Sequence, residues 1–166
     1  MYNGAPDRYN WELVGKRETT HPVARATSSW DGDLSYDDII EPGHMDPEYT
    51  RYEKHRVWVV DSTLKEGERH IYARRTFYVD EDTWQIAVID HYDGRGELWK
   101  VKEGHHIVHY QVKVPWLAAS SLHDLISGRY VVIGLDNEEG GYTYDFDYET
   151  SFREFTPQAL RRAGRR

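Results

Sequence analysis

The side chains with the most obvious chemistry are nine His and an acidic excess of 29 Asp and Glu over 21 Lys and Arg. Clustered His suggests a metal site, and His105, His106 and His109 are the densest group. On extended backbone His105 and His109 share a face but lie about 13 Å apart, too far to ligate one ion through ~2.1 Å bonds. His106 faces the other way, so these read as surface or strand-pairing histidines and no metal site is expected. A carboxylate pair would suit glycoside chemistry. The acidic clusters fall at Asp80-Glu81-Asp82, at Asp90 with Asp93, at residues 136–139 and at Asp145 with Asp147. Most belong to turns, where Asp and Asn bond their own backbone. A hydrolase acting on carbohydrate or lipid would need His91, Asp90 and another carboxylate converging in one cleft. The nucleophile elbow, HExxH, Walker, EF-hand and dinucleotide fingerprints are all missing. The expectation is therefore a non-enzyme with no catalytic residues and no cofactor.

The elements that would hold such residues are strands. In 166 residues, Val, Ile, Tyr, Phe, Trp and Thr number 54, whereas Leu, Ile, Val and Phe together number only 34. That is a β-forming composition whose core must lean on its 6 Trp, 13 Tyr and 4 Phe, each burying roughly 150 to 250 Å². With no Cys, disulfides and thiolate metal sites are excluded, and a formal charge of -8 disfavours broad phosphate binding, so nucleic acid is not an expected partner. No run approaches the roughly 18 apolar residues of a membrane helix, and the first residues carry no secretory signal.

Strands are expected at 9–18, 51–64, 70–79, 84–92 and 97–114, the last with Gly104 marking a bulge or bend. Turns at Lys65-Glu66-Gly67-Glu68, at Asp80-Glu81-Asp82 and at Asp93-Gly94-Arg95-Gly96 make this an antiparallel meander. Pro115 closes the long strand, and 118–126 reads as a helix with Gly128 just past its end. Strands at 129–135 and 142–148 should pair with each other. A final helix over 157–163 starts at Thr156 and Pro157. The stretch 19–50 reads as a long connection with a short strand at 34–39.

Alternation puts the four aromatics of 142–148 on one side. It also puts Val108, Tyr110, Val112 and Val114 opposite Ile107, His109, Gln111 and Lys113, and Ile71, Ala73, Phe77 and Val79 opposite Tyr72, Arg74, Thr76 and Tyr78. An apolar sheet face must be covered, and so few helical residues cannot cover it. The candidates to line the resulting hollow are Trp58, Val60, Phe77, Ile86, Val88, Tyr110, Tyr144 and Phe146.

The stretches Phe77-Tyr78-Val79-Asp80-Glu81-Asp82-Thr83-Trp84-Gln85-Ile86 and His91-Tyr92-Asp93-Gly94-Arg95-Gly96-Glu97-Leu98-Trp99-Lys100 resemble the repeated strand and turn pattern of outer-membrane lipoprotein-sorting proteins of the LolA/LolB type. Trp11-Glu12-Leu13-Val14-Gly15-Lys16, His55-Arg56-Val57-Trp58-Val59-Val60 and His70-Ile71-Tyr72-Ala73-Arg74-Arg75 more closely resemble a proteobacterial domain-of-unknown-function family that bears that name. The resemblance implies a mainly β fold with few short helices: a curved antiparallel sheet, half-open, as in the LolA/LolB-like incomplete β-barrel. It implies that residues 1–166 are one domain, the C-terminal part of a larger one whose longer protein carries a signal peptide. It further implies a periplasmic or outer-membrane-associated, non-enzymatic carrier of lipid or another hydrophobic compound. An exporter of the resistance-nodulation-division superfamily is the implied partner. The alternative is a protein-interaction or scaffold module at the outer membrane whose apolar face docks another protein or the rest of its own domain.

Overall fold

Alternating and β-branched residues dominate the chain, and the computed structural model turns them into one large curved sheet; it describes residues 1–2, 4–24, 34–139 and 144–164. The strands are β1 (Tyr9–Ala24), β2 (Ile40–Glu41), β3 (His44–Met45), β4 (Thr50–Leu64), β5 (Arg74–Asp80), β6 (Ile86–Tyr92), β7 (Leu98–His109), β8 (Val114–Asp124) and β9 (Tyr130–Ile133). The α-helices are α1 (Tyr36–Ile39) and α2 (Pro157–Ala163). Seven strands lie in the order β1-β4-β5-β6-β7-β8-β9, with every neighbour antiparallel. The sheet also bends until β1 meets β7 through one parallel pair, Val23 with His106. Because β8 and β9 run on past that contact, the ring is an open barrel, as the fold class expected of this sequence requires.

Four ladder irregularities produce the curl, at Leu13/Gly15, Tyr78/Val79, His91/Tyr92 and His105/His106. Each inserts a residue on one strand and locally increases twist. The expected turns form where Asp and Gly demand them. Asp93 accepts the amides of Arg95 and Glu97, and Gly96 takes a φ of +83°. Helix α2 has the expected ends: Thr156 accepts the Ala159 amide and Gly164 follows the last turn.

Several expectations need correction. The stretch 97–114 is not one strand: β7 ends at His109, a turn follows with Lys113 at φ +56°, and Pro115 lies within β8 rather than closing β7. Residues 118–126 are not a helix, because Val114–Asp124 is strand β8, laddered to β7 on one side and β9 on the other. Its run of Ala118, Ala119, Ser120 and Ser121 is buried, so small residues serve close packing there, overriding the apparent helix end signals. Strand β9 pairs with β8 and not with 142–148. Of that segment Tyr142 and Thr143 lie outside the described residues, and Tyr144 to Tyr148 form no strand. Strand β1 runs on to Ala24, whereas 34–39 contains helix α1, capped by Ser35, in place of a strand. Strands β5 and β6 begin later than expected, at Arg74 and Ile86; for β6 the reason is Trp84, which takes a φ of +58° in the turn before it.

The core is formed by Val57, Val59, Phe77, Ala87, Ile89, Ala118 and Ala119, all buried. The face assignment on β7 is reversed from the alternation reading. Val108, Tyr110, Val112 and Val114 are exposed, while His105, His106 and His109 are buried. The neighbours explain it: His106 turns toward His21 of β1, and the His109 ring lies 4.7 Å from that of Phe146. The turn after β7 carries Tyr110 and Val112 out to solvent.

Candidate functional site

Cross-strand partners point to the same side of a sheet, so the register defines rows across its faces. One row runs Leu13, Val60, Phe77, Ile89, Lys102, Leu122 and Val131, crossing all seven strands. The next row on that side is Trp11, Ser62, Arg75, His91 and Lys100, and the row on the other flank holds Lys16, Trp58, Val79 and Ile86. Four expected lining residues, Trp58, Val60, Phe77 and Ile86, therefore share one face. Val88 is registered with Tyr78 and Glu103 and belongs to the opposite side. Tyr110 is 83% exposed on the β7–β8 turn. Tyr144 and Phe146 gather near His109, Tyr144 also packing edge-on against Trp116, away from the Phe77 row.

Aromatic rings are concentrated around Phe77 and Arg75. Trp11 lies 5.5 Å from Phe77, and Tyr2 lies 5.8 Å from both. The Arg75 guanidinium sits 4.7 Å from the Tyr9 ring, 5.3 Å from Tyr2 and 5.4 Å from Tyr72. Arg75 is only 3% exposed. It donates to the Tyr9 hydroxyl at 2.8 Å and lies against the His70 ring, its Nε has no acceptor, and no described carboxylate reaches it. Burying an unpaired cation is costly unless it is compensated, and ring faces compensate only in part.

The neighbouring titratable groups do not neutralise that cation. Burial, and then the charge of Arg75, lower the pKa of His91 to about 4 and also lower that of His70, so both rings stay neutral beside the guanidinium. Burial likewise lowers the Lys102 pKa. The region can therefore receive an anionic group, with an apolar strip beside it. Arg75 occupies an alternate position on the same side as Ala73 and Phe77; a basic residue in an apolar stripe is the signal that would have found it.

A second cluster lies where β1, β4 and the end of β5 converge. The ligand atoms of His21, His55 and Asp80 all lie within 4.8 Å of one another. Asp80 Oδ2 is 2.9 Å from His55 Nδ1 and 3.5 Å from His21 Nε2, and the side chains of His21 and Asp80 are each 2% exposed. Asp80 Oδ1 accepts the Thr83 amide and hydroxyl, both at 2.8 Å, and the Asp82 amide. Burial opposes the charge on Asp80, but its bonds from Thr83 and His55 outweigh that and lower its pKa. On His55 burial is likewise outweighed, by Glu53 and Asp80, and its pKa is raised. These residues are far apart in sequence, so only the strand register could reveal the cluster.

Comparison with known proteins agrees with the sequence resemblance. A family model described as "Protein of unknown function (DUF1329)" matches residues 1–161. The "Uncharacterized protein PA3922" of Pseudomonas aeruginosa is 54% identical over 164 residues, which is 99% of this chain and 36% of that protein. The chain thus spans about a third of the length of that curated relative. A crystal structure of a DUF1329 family protein from Desulfovibrio piger aligns over 93% of this chain and 48% of its own, with 16% identity and a TM-score of 0.47. A Vibrio parahaemolyticus domain, provisionally described as an outer membrane lipoprotein-sorting protein, aligns over 76% of this chain and 39% of its own, with 9% identity and a TM-score of 0.45.

Proposed function

The chain belongs to the DUF1329 family, and we propose that it is a non-enzymatic carrier or binding domain for a lipid or similar hydrophobic compound bearing an anionic group. The observation that carries this reading is Arg75, a buried guanidinium with no carboxylate partner among the described residues, at the centre of an aromatic sheet face. The head group would pair with Arg75, whose charge-assisted bonds are strong in such surroundings. The apolar part would lie along Trp58, Val60, Phe77 and Ile86, which share that face. Tyr2 now stands over Phe77 and Arg75, so the ligand would have to displace its ring. The setting that goes with this reading is the periplasm or the outer membrane, with an exporter as the partner that takes up the compound.

A series of saturated fatty acids competing with a fluorescent probe tests the proposal. Affinity should climb with chain length, by up to about 0.8 kcal/mol per methylene. The matching alcohols should bind more weakly than the acids, and Arg75→Met should abolish that difference. A flat series sinks the reading. A structure of the longer protein with this face filled by protein side chains would favour the scaffold alternative.

A further inference from the structure

We propose that His21, His55 and Asp80 form a binding site for a divalent transition metal of the zinc class, clasping β1, β4 and the end of β5 together. Two imidazoles and one carboxylate are a donor set suited to zinc. Bonds of about 2.1 Å in tetrahedral geometry place ligand atoms about 3.3 Å apart. The two separations from Asp80 Oδ2, 2.9 Å and 3.5 Å, bracket that value.

The outer contacts point the same way. His21 Nδ1 lies 3.1 Å from the Pro22 carbonyl, which can only accept, so Nδ1 carries a proton. His21 Nε2 is buried and has no hydrogen-bond partner, although it is aimed at Asp80. His55 Nε2 faces the Glu53 carboxylate at 3.3 Å, leaving Nδ1 toward Asp80. Thr83 and the Asp82 amide hold the other Asp80 oxygen. Each inner atom is thus oriented by a bond on its far side, the arrangement that outer-shell groups impose on metal ligands. His55 Nδ1 holds Asp80 Oδ2 at 2.9 Å through a proton that a metal ion would displace, whereas His21 Nε2 turns its lone pair on the same oxygen at 3.5 Å, a repulsion that a cation between them would relieve. His55 is 25% exposed along its side chain, which gives an ion a way in. This inference is independent of the ligand proposed for the Phe77 face.

The test is calorimetric titration of the chelator-treated chain with zinc chloride, with metal content measured by mass spectrometry. One equivalent should bind, and His21→Gln and His55→Gln should each weaken it by at least about 100-fold. Glu53→Gln, which removes only an orienting contact, should cost about 10-fold or more. Cobalt(II) bound in place of zinc should show the visible absorption of a tetrahedral nitrogen and oxygen site, lost in the same variants. Circular dichroism checks folding. If the buried His21 variant fails to fold, His55→Gln decides the matter, its ring being partly in solvent. No saturable uptake at micromolar zinc, or uptake undiminished in His55→Gln and Glu53→Gln, overturns the proposal.

Discussion

His105 is buried with its Nε2 unpartnered, and burial followed by the nearby His123 lowers its pKa to about 4. His91 is lowered to about 4 by burial and Arg75. In the unfolded chain both would titrate near 6.5. Below that pH the unfolded state takes up protons that the folded state refuses, so stability is full above pH 6.5 and drains away toward pH 4. Urea denaturation at stepped pH should show this loss, and His105→Leu should flatten it by up to about 1.4 kcal/mol per pH unit. The sequence read His105, His106 and His109 as surface or strand-pairing residues; all three do sit in the β7 ladder but are buried, and alternation alone cannot say which side is covered. Phe77 was legible within an alternating run, and the register places Val60 beside it on the same face. Val88 was not legible, because the irregularity at Tyr78/Val79 exchanges faces between Ile86 and Val88. His21, His55 and Asp80 left no local trace, each sitting in a strand or turn that reads as ordinary.

Among elements, those closed by local chemistry were readable: the Asp93 and Gly67 turns, the Gly96 conformation and both ends of α2. Strand β8 was misread because its serines and Gly128 look like helix start and stop signals, whereas its two long-range ladders make it a strand. Gly104 was read as the mark of a bend, and the ladder does shift beside it, at His105/His106. A Cβ there would meet the Ile86 carbonyl oxygen and His106 Cε1 at 2.9 Å, and Leu117 Cδ1 at 3.1 Å. A backbone oxygen cannot swing aside as a side chain can. Gly104→Ala should therefore destabilise the protein by about 1–3 kcal/mol, measured as a lowered denaturation midpoint with an unchanged slope.

For the whole molecule, the open barrel leaves β9 as an edge, and it carries exposed Val131 and Ile133. A short apolar edge is a template for a strand from another chain. Light scattering should detect concentration-dependent association, and Ile133→Lys should suppress it; a strictly monomeric wild type at high concentration would contradict this. The overall curvature was legible from the strand lengths and Gly104, but the meeting of β1 with β7 was not, since it depends on β1 running six residues beyond its expected end at Glu18. That meeting has a kinetic consequence. Along β4 the first strand is zipped over its whole length, whereas among the described residues it is fastened to β7 by a single rung, Val23 with His106. Thermal breathing of the ring should begin there, with that rung unfastening while the rest of the sheet stays intact.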